Sequence, residues 1–563
     1  MQTSSWLLRF DRALSYFAIV ALLAASLGRP GAASAAADPA RSYIVQGADL
    51  ALVIRAVQRL GGSVTTELPL IRGVAALLPP LAALALTSEP GIDLITPNGT
   101  VTVDGDRSPG ERTKPNWEQW RGKIPPTDYP DIIGADVVWS QGVTGQGITV
   151  AVVDTGLDRH EGLVRGLNNQ RNRILGWVDF VDGRRLPHDP NGHGSHIAGV
   201  IANSQIGPDG EWNGVAPGVN LVGVRVMDAD GSGSYEHVIQ GIQWVITQRE
   251  RLNIRVMNLS LSAPVQSPYF ADPLNQAVMA AWAAGIVVVT SAGNSGPQAL
   301  TVGVPGNNPY AITVGAFTDA YTPPAWRDDY IPDWSSSGPT YDAFVKPDLV
   351  APGGHIVSTM NPDAYFAKAY AENRLAKSYF VMSGTSQAAA SVSGVVALML
   401  AANPSLSPDQ VKYRLHTTSL PQLDPASSTA GYSLWRQGAG RVLAPQAVFA
   451  PIDGTANSGL NVTADLAGAE HYRGTTYFDA ATGMFRLVGD TDGSWAGGAG
   501  VWDGFDPGLS GGIWSDGGIW SDGGIWSDGG IWSDGGIWSD GGIWSDGAAQ
   551  YSSRISLNWV QDE

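Results

Sequence analysis

The 563-residue sequence has no cysteine, which excludes disulfides, thiolate metal centres and a cysteine nucleophile together. Export stays open, because a chain of this length buries enough apolar surface to fold without covalent cross-links. Positive charge is also scarce: 34 Lys and Arg stand against 52 Asp and Glu, a formal charge of −18. With no Lys/Arg cluster to meet a phosphate backbone, nucleic-acid binding is not expected. No apolar run beyond the N-terminus is long enough to span a bilayer, so no transmembrane anchor is expected.

The N-terminus carries a different signal. Arg9 and Arg12 flank a mainly apolar stretch from Ala13 to Leu27, and Ala33-Ser34-Ala35 offers a small-x-small cleavage site. Residues 1–35 therefore read as a signal peptide, and the chain as secreted or surface-associated.

Residues 41–104 form a small α+β unit in outline. Tyr43-Ile44-Val45, Val64 to Leu70 and Val74 to Leu78 read as strands. Leu50 to Leu60 and Leu81 to Leu86 read as helices, and Ile92 to Val103 could close the sheet. Residues 105–129 are polar and proline-rich, as suits a linker. From 130 to 450 short apolar runs (148–153, 221–226, 254–259, 286–290) alternate with helical stretches (194–202, 235–248, 273–284). That alternation predicts an α/β fold, a parallel central sheet with helices on both faces. Reactive groups in such folds gather at the carboxyl ends of the strands.

Three short motifs carry chemistry. Asp154 ends a buried-type strand in Val152-Val153-Asp154-Thr155-Gly156, which by itself suits a turn or a helix cap. His193 stands between glycines in Asn191-Gly192-His193-Gly194-Ser195-His196, at the mouth of a helix. His193 and His196 could pair on a metal, but no third ligand stands at a convincing spacing, and no metal site is assigned. Ser386 lies in Ser383-Gly384-Thr385-Ser386-Gln387, at the start of a small-residue helix whose dipole favours developing negative charge. A serine nucleophile needs a base, and that imidazole needs a carboxylate to orient it. The chain order Asp, His, Ser is one of the known orders for such a triad.

On these motifs residues 130–450 resemble the subtilisin-like serine peptidases (subtilases). The resemblance implies that Asp154 orients His193, that His193 is general base and acid, and that Ser386 is the nucleophile. It implies a structural role for His196. Ser291-Ala292-Gly293-Asn294 resembles the family's Ala-Gly-Asn segment, which would make Asn294 an oxyanion-hole donor. Asn258-Leu259-Ser260-Leu261-Ser262 resembles the edge strand that pairs with substrate backbone. Ser260, Leu261 and Ser262 would line one wall of the cleft, and Ser291, Ala292 and Gly293 the other. A pocket lined by glycine and alanine, with no obvious acid, favours an apolar or aromatic residue before the cut. Val304-Pro305 aligns with a family cis-proline. The function expected is a secreted serine endopeptidase acting on proteins or peptides, with no cofactor required for chemistry.

The pattern also departs from the family. Ala390 replaces a common proline four residues after the nucleophile. The usual calcium ligand in a His-Pro-Asp-Leu run is replaced by Gly162 in His160-Glu161-Gly162-Leu163, and the 203–213 loop differs in length. Structural calcium is possible, but its usual site is incomplete. Residues 41–104 resemble an inhibitor-type propeptide, expected to assist folding, cover the cleft and be removed by the enzyme.

Beyond a C-terminal extension (451–510), residues 511–546 contain six copies of Gly-Gly-Ile-Trp-Ser-Asp, followed by a tail to 563. A tryptophan ladder there could contact cell wall or polysaccharide, while the double glycines favour a flexible, self-associating tail. The alternative reading is a catalytically silent scaffold that acts as a surface binding protein through this repeat.

Overall fold

The computed structural model describes residues 39–101, 123–167, 172–323, 326–425, 431–489 and 554–557. The signal-type segment, most of the expected linker and the hexapeptide repeats lie outside them.

The first element group is β1 (Arg41–Gly47), α1 (Leu50–Arg59), β2 (Ser63–Leu68), β3 (Gly73–Leu78), α2 (Pro80–Leu86) and β4 (Ile92–Pro97). The strands form an antiparallel sheet in the order β2-β3-β1-β4. Asp49 caps α1 by accepting from the Leu52 amide, and α1 buries Val53, Ala56 and Val57 against the sheet. Pro69 ends β2 in a short 3₁₀ turn, so the strand stops two residues before its apolar pattern does.

The large sheet has seven strands: β5 (Thr149–Asp154), β6 (Ile174–Asp179), β7 (Asn220–Arg225), β8 (Ile254–Leu259), β9 (Val287–Ser291), β10 (Ile312–Phe317) and β11 (Leu349–Pro352). All pairs are parallel, in the order β11-β10-β9-β8-β5-β7-β6. Every residue of β5 is buried, as a strand covered on both faces requires.

The helices that matter here are α3 (His193–Ala202), α4 (Tyr235–Leu252), α5 (Pro273–Ala283), α6 (Thr385–Ala402) and α7 (Pro408–Thr418). α3 and α6 pack together on one side of the sheet, and α4 and α5 pack together on the other. Among the described residues α6 is the one helix long and apolar enough to cross a membrane, yet 89% of that stretch is buried in this core. Its run of Ala, Ser and Gly lets it sit close over β8, β9 and β10.

A small antiparallel sheet, β12 (Ile356–Thr359), β13 (Arg374–Ala376) and β14 (Tyr379–Met382), leads the chain into α6. The Val304–Pro305 bond is cis, as the sequence predicts. Residues 451–489 continue the same body: Asp465 accepts from the hydroxyls of Tyr269 (2.6 Å) and Tyr310 (2.9 Å), and His471 stacks on Phe270.

Candidate active site

The carboxyl ends of three adjacent strands build the site. β5 ends on Asp154, β8 runs into Ser260, and β9 runs into Asn294. Nδ1 of His193 lies 2.8 Å from Oδ1 of Asp154, with both side chains fully buried. A carboxylate only accepts, so Nδ1 carries the proton and Nε2 keeps its lone pair for another donor. Nε2 has no hydrogen-bond partner among the described residues.

The turn holding His193 is itself caged. Asp189 accepts from the Gly192 amide (2.8 Å), the Ser195 amide (2.7 Å) and the Thr155 hydroxyl (2.9 Å). Thr155 in turn accepts from the Gly194 amide at 2.9 Å, and Asn191 accepts from the His193 amide at 3.1 Å. Gly194 has no alternative, since a Cβ there would lie 2.2 Å from the Gly156 carbonyl oxygen. The close approach of helix to strand end brings imidazole and carboxylate together.

Ser386 is the second residue of α6, where a backbone N–H has no intrahelical acceptor. Its hydroxyl donates to the Ser260 carbonyl at 3.3 Å, not to His193; catalytic hydrogen bonds are often long or misaligned before substrate binds. Ser260 returns a bond from its own hydroxyl to the Ser386 carbonyl at 3.0 Å, tying the end of β8 to α6. Asn258 and Ser393 extend that chain.

Asn294 is aimed by its neighbours. Its Oδ1 accepts from both the amide (3.1 Å) and the hydroxyl (3.0 Å) of Thr385, which leaves Nδ2 buried without a partner among the described residues. Thr385 also accepts from the Gly293 amide at 3.2 Å.

The two expected cleft walls touch at their base, where the Ser291 hydroxyl approaches the Leu261 carbonyl at 3.4 Å. Ser260, Leu261, Ser291 and Ala292 are buried, and Ser262 is partly exposed. The edge Leu261–Ser262 pairs antiparallel with a segment of this chain, Arg554–Leu557, which pairs in turn with Thr100–Val101. That pairing shows the edge accepting an extended backbone.

His196 lies apart from this machinery. It is fully buried, and its Nε2 faces the Phe380 carbonyl at 3.2 Å. Burial, with a smaller repulsion from His193, lowers its pKa to about 3. The unfolded chain takes up this proton first, so the contribution to stability is lost as pH falls from about 6.5 toward 3. The slope is about 1.4 kcal/mol per pH unit. Thermal midpoints measured from pH 7 to pH 4 should fall more steeply for the parent than for His196→Asn.

The place expected for calcium does not fit the ion. Gly162 offers no carboxylate, and a Cβ there would lie 2.0 Å from Oδ1 of Asn203. A cation is already present in the form of the fully buried Arg173 guanidinium. It donates to the carbonyls of Leu163 (3.0 Å), Pro217 (2.6 Å) and Val219 (3.3 Å), and more closely to those of Gly162 and Ala202. Burial lowers its pKa only to about 9, so it stays charged at neutral pH.

Of the residues singled out in the sequence, the structure brings together Asp154 with His193, and Ser386 with Ser260 and Asn294. Sequence reasoning missed Thr385, Asp189 and Arg173. Asp189 had a faint signal, an acid in the turn-rich run His188-Asp189-Pro190-Asn191-Gly192 just before His193.

Residues 145–441 match the subtilase family, more than half of the chain. Serine protease AprX of Bacillus subtilis (strain 168) is 42% identical over 277 residues, covering 48% of this chain and 61% of AprX. Subtilisin DY of Bacillus licheniformis is 34% identical over 290 residues, covering 51% of this chain and 89% of that protein. Fervidolysin from Fervidobacterium pennivorans, a keratinolytic enzyme related to subtilisin, shares the fold. Its crystal structure matches with a TM-score of 0.56 at 24% identity, covering 75% of this chain and 63% of fervidolysin. An α/β fold with an Asp–His pair and a helix-borne serine defines a serine-peptidase scaffold. The chain belongs to the subtilase family. It spans about three-fifths of AprX's length.

Proposed function

We propose that this chain is an exported serine endopeptidase that works through an acyl-enzyme on Ser386. The observation that carries the reading is the buried Asp154–His193 pair, with Nε2 unpartnered, beside an Asn294 amide left free by Thr385. Ser386 Oγ attacks the peptide carbonyl while its proton passes to Nε2 of His193. Asp154 holds the Nδ1 proton and stabilises the imidazolium. Asn294 Nδ2 and the Ser386 amide receive the oxyanion. The intermediate collapses as Nε2 returns the proton to the leaving amine, and water then cleaves the acyl-enzyme by the reverse path.

Residues 41–97 support a propeptide reading by where they sit. Leu70 N–H donates to Gln243 on α4 at 3.2 Å, and Gln46 donates to Gln276 on α5 at 2.5 Å. Asn98 and Glu236 exchange two bonds of 3.1 Å at the first turn of α4. Ile44, Leu68, Ile71 and Ala75 join the core of the larger sheet. Thr100–Val101 then pairs antiparallel with Gly233–Ser234, which carries the chain toward the cleft. Docked there, the unit would hold the chain that follows Thr100–Val101 near the cleft edge, which would inhibit the enzyme until the segment is cut. Export is inferred from residues 1–35, an apolar residue before the cut from the Gly293 and Ala292 wall, and cell-wall contact from the tail repeat.

Asn294→Ala tests the chemistry without disturbing the triad. The expected result is a fall in kcat of about 10²–10³-fold on a peptide substrate, with KM nearly unchanged, because the donor acts on the oxyanion alone. A silent binding scaffold would show no turnover to lose. An equal loss in KM would place Asn294 in substrate binding instead.

A further inference from the structure

Among the described residues, two groups of side chains outside the cleft bring three possible metal ligands together. In the first, Asp179, Asp182 and His188, the cation is already supplied: Arg225 donates to Asp179 (3.0 Å) and Asp182 (2.7 Å) and lies 3.4 Å from His188. The second group is Asp128, Asp319 and His355, whose ligand atoms all lie within 4.8 Å of one another. Asp319 and His355 are buried, at 3% and 6% exposure. No lysine or arginine among the described residues is ion-paired with either carboxylate.

We propose that Asp128, Asp319 and His355 bind a divalent transition-metal ion, of the zinc or manganese kind. Oδ2 of Asp319 is buried with no hydrogen-bond partner among the described residues, which leaves a carboxylate oxygen ready for a ligand. Its other oxygen meets Nε2 of His355 and accepts from the Tyr321 amide at 3.2 Å, which fixes the carboxylate plane. The His355 ring is held as metal-binding imidazoles usually are: Nδ1 faces the Thr318 hydroxyl at 3.4 Å, and Tyr321 stacks on the ring at 3.8 Å. Nε2 is the nitrogen turned to the carboxylates.

Charge supports the same assignment. With neutral imidazole, the group holds two carboxylate charges, one half-buried and one buried, that one divalent ion cancels. An imidazole nitrogen with two carboxylates suits zinc or manganese better than calcium, which takes oxygen ligands.

The site joins three separate stretches. Asp128 precedes the first short helix of the larger body, Asp319 follows β10, and His355 follows β11. The His355 amide donates to the Ser383 hydroxyl at 2.8 Å, three residues ahead of Ser386. A bound ion would thus anchor the N-terminal arm to the turn that delivers the nucleophile helix.

The test is calorimetric titration of Zn²⁺ and Co²⁺ into metal-stripped full-length chain carrying Ser386→Ala, which prevents self-digestion. One ion per chain is expected, with visible ligand-field bands for Co²⁺. Affinity should fall at least about 100-fold in His355→Ala, and zinc should raise the thermal midpoint of the parent but not of that variant. Asp128→Asn, which leaves the buried pair in place, serves as a second variant should His355→Ala fail to fold. Failure of the folded parent to take up a stoichiometric ion would overturn the assignment, as would affinity unchanged in both variants. The three residues would then form an ion-pair network only. The readouts do not depend on proteolysis, so this proposal and the proposed peptidase activity fail separately.

Discussion

Ser386→Ala is expected to reduce peptide hydrolysis by about 10⁶-fold while leaving the folded structure intact. The first part follows from the chemistry, since without Oγ there is no acyl-enzyme and the Asp154–His193 pair has nothing to activate. The second follows from the contacts. The hydroxyl makes only one weak bond, 3.3 Å to the Ser260 carbonyl, while the tie to the cleft strand uses the Ser386 backbone and survives. The residual rate reflects the oxyanion donors and binding alone, roughly 10³-fold above the reaction in water. His193→Ala should match the serine variant, and the double variant should be no worse, because the residues act as one unit. Initial rates on a fluorogenic peptide, with circular dichroism as a control for folding, measure all three. Release of the 41–104 segment should stop in the same variants.

Arg173→Met is expected to remove about 5 kcal/mol of stability, close to the whole margin of an ordinary domain. The guanidinium gathers carbonyl groups from three stretches of chain, around residues 162–163, 202 and 217–219, and is fully buried. Methionine fills similar volume but donates nothing. Five carbonyls are then left to share whatever water enters, each unsatisfied group costing about 1–3 kcal/mol. Arg173→Lys should fall between, since three donors on a point charge cannot span the fan of acceptors. Calcium should not rescue the methionine variant, because Gly162 supplies no carboxylate. Urea unfolding in the Ser386→Ala background measures the differences. A methionine variant within about 1 kcal/mol of the parent would show that these carbonyls are satisfied otherwise.

The same arginine shows where sequence reading stops. Asp154, His193, Asn294 and Ser386 are each announced by local context: a strand end, glycines beside a ring, a helix start. Arg173 is announced by nothing, because its meaning depends on carbonyls up to 46 positions away. Thr385 is similar, an ordinary helix-start threonine until Asn294 is placed 91 residues back along the chain at hydrogen-bond distance. Among the strands, β5, β7, β8 and β9 were legible as dense Val, Ile and Leu runs. β6 mixes Gly176, Trp177 and Asp179 with its apolar residues and β11 is four residues long, so their patterns are weak. The small sheet at 41–97 was readable almost element by element, since Gly61, Gly62 and the Pro79-Pro80 pair mark its turns. What the sequence could not show there was Asn98 reaching the first turn of α4, a contact between distant stretches.

The central claim is that Ser386 is a nucleophile activated by His193. The direct measurement is mass-spectrometric mapping after exposure to a sulfonyl fluoride, which transfers its sulfonyl group to an activated serine and releases fluoride. A single adduct is expected on the peptide containing Ser386, with loss of peptidase activity in step with its formation. The adduct should be absent in Ser386→Ala and strongly slowed in His193→Ala. An adduct on another serine that tracks the lost activity would contradict the account, as would undiminished labelling of Ser386 without His193.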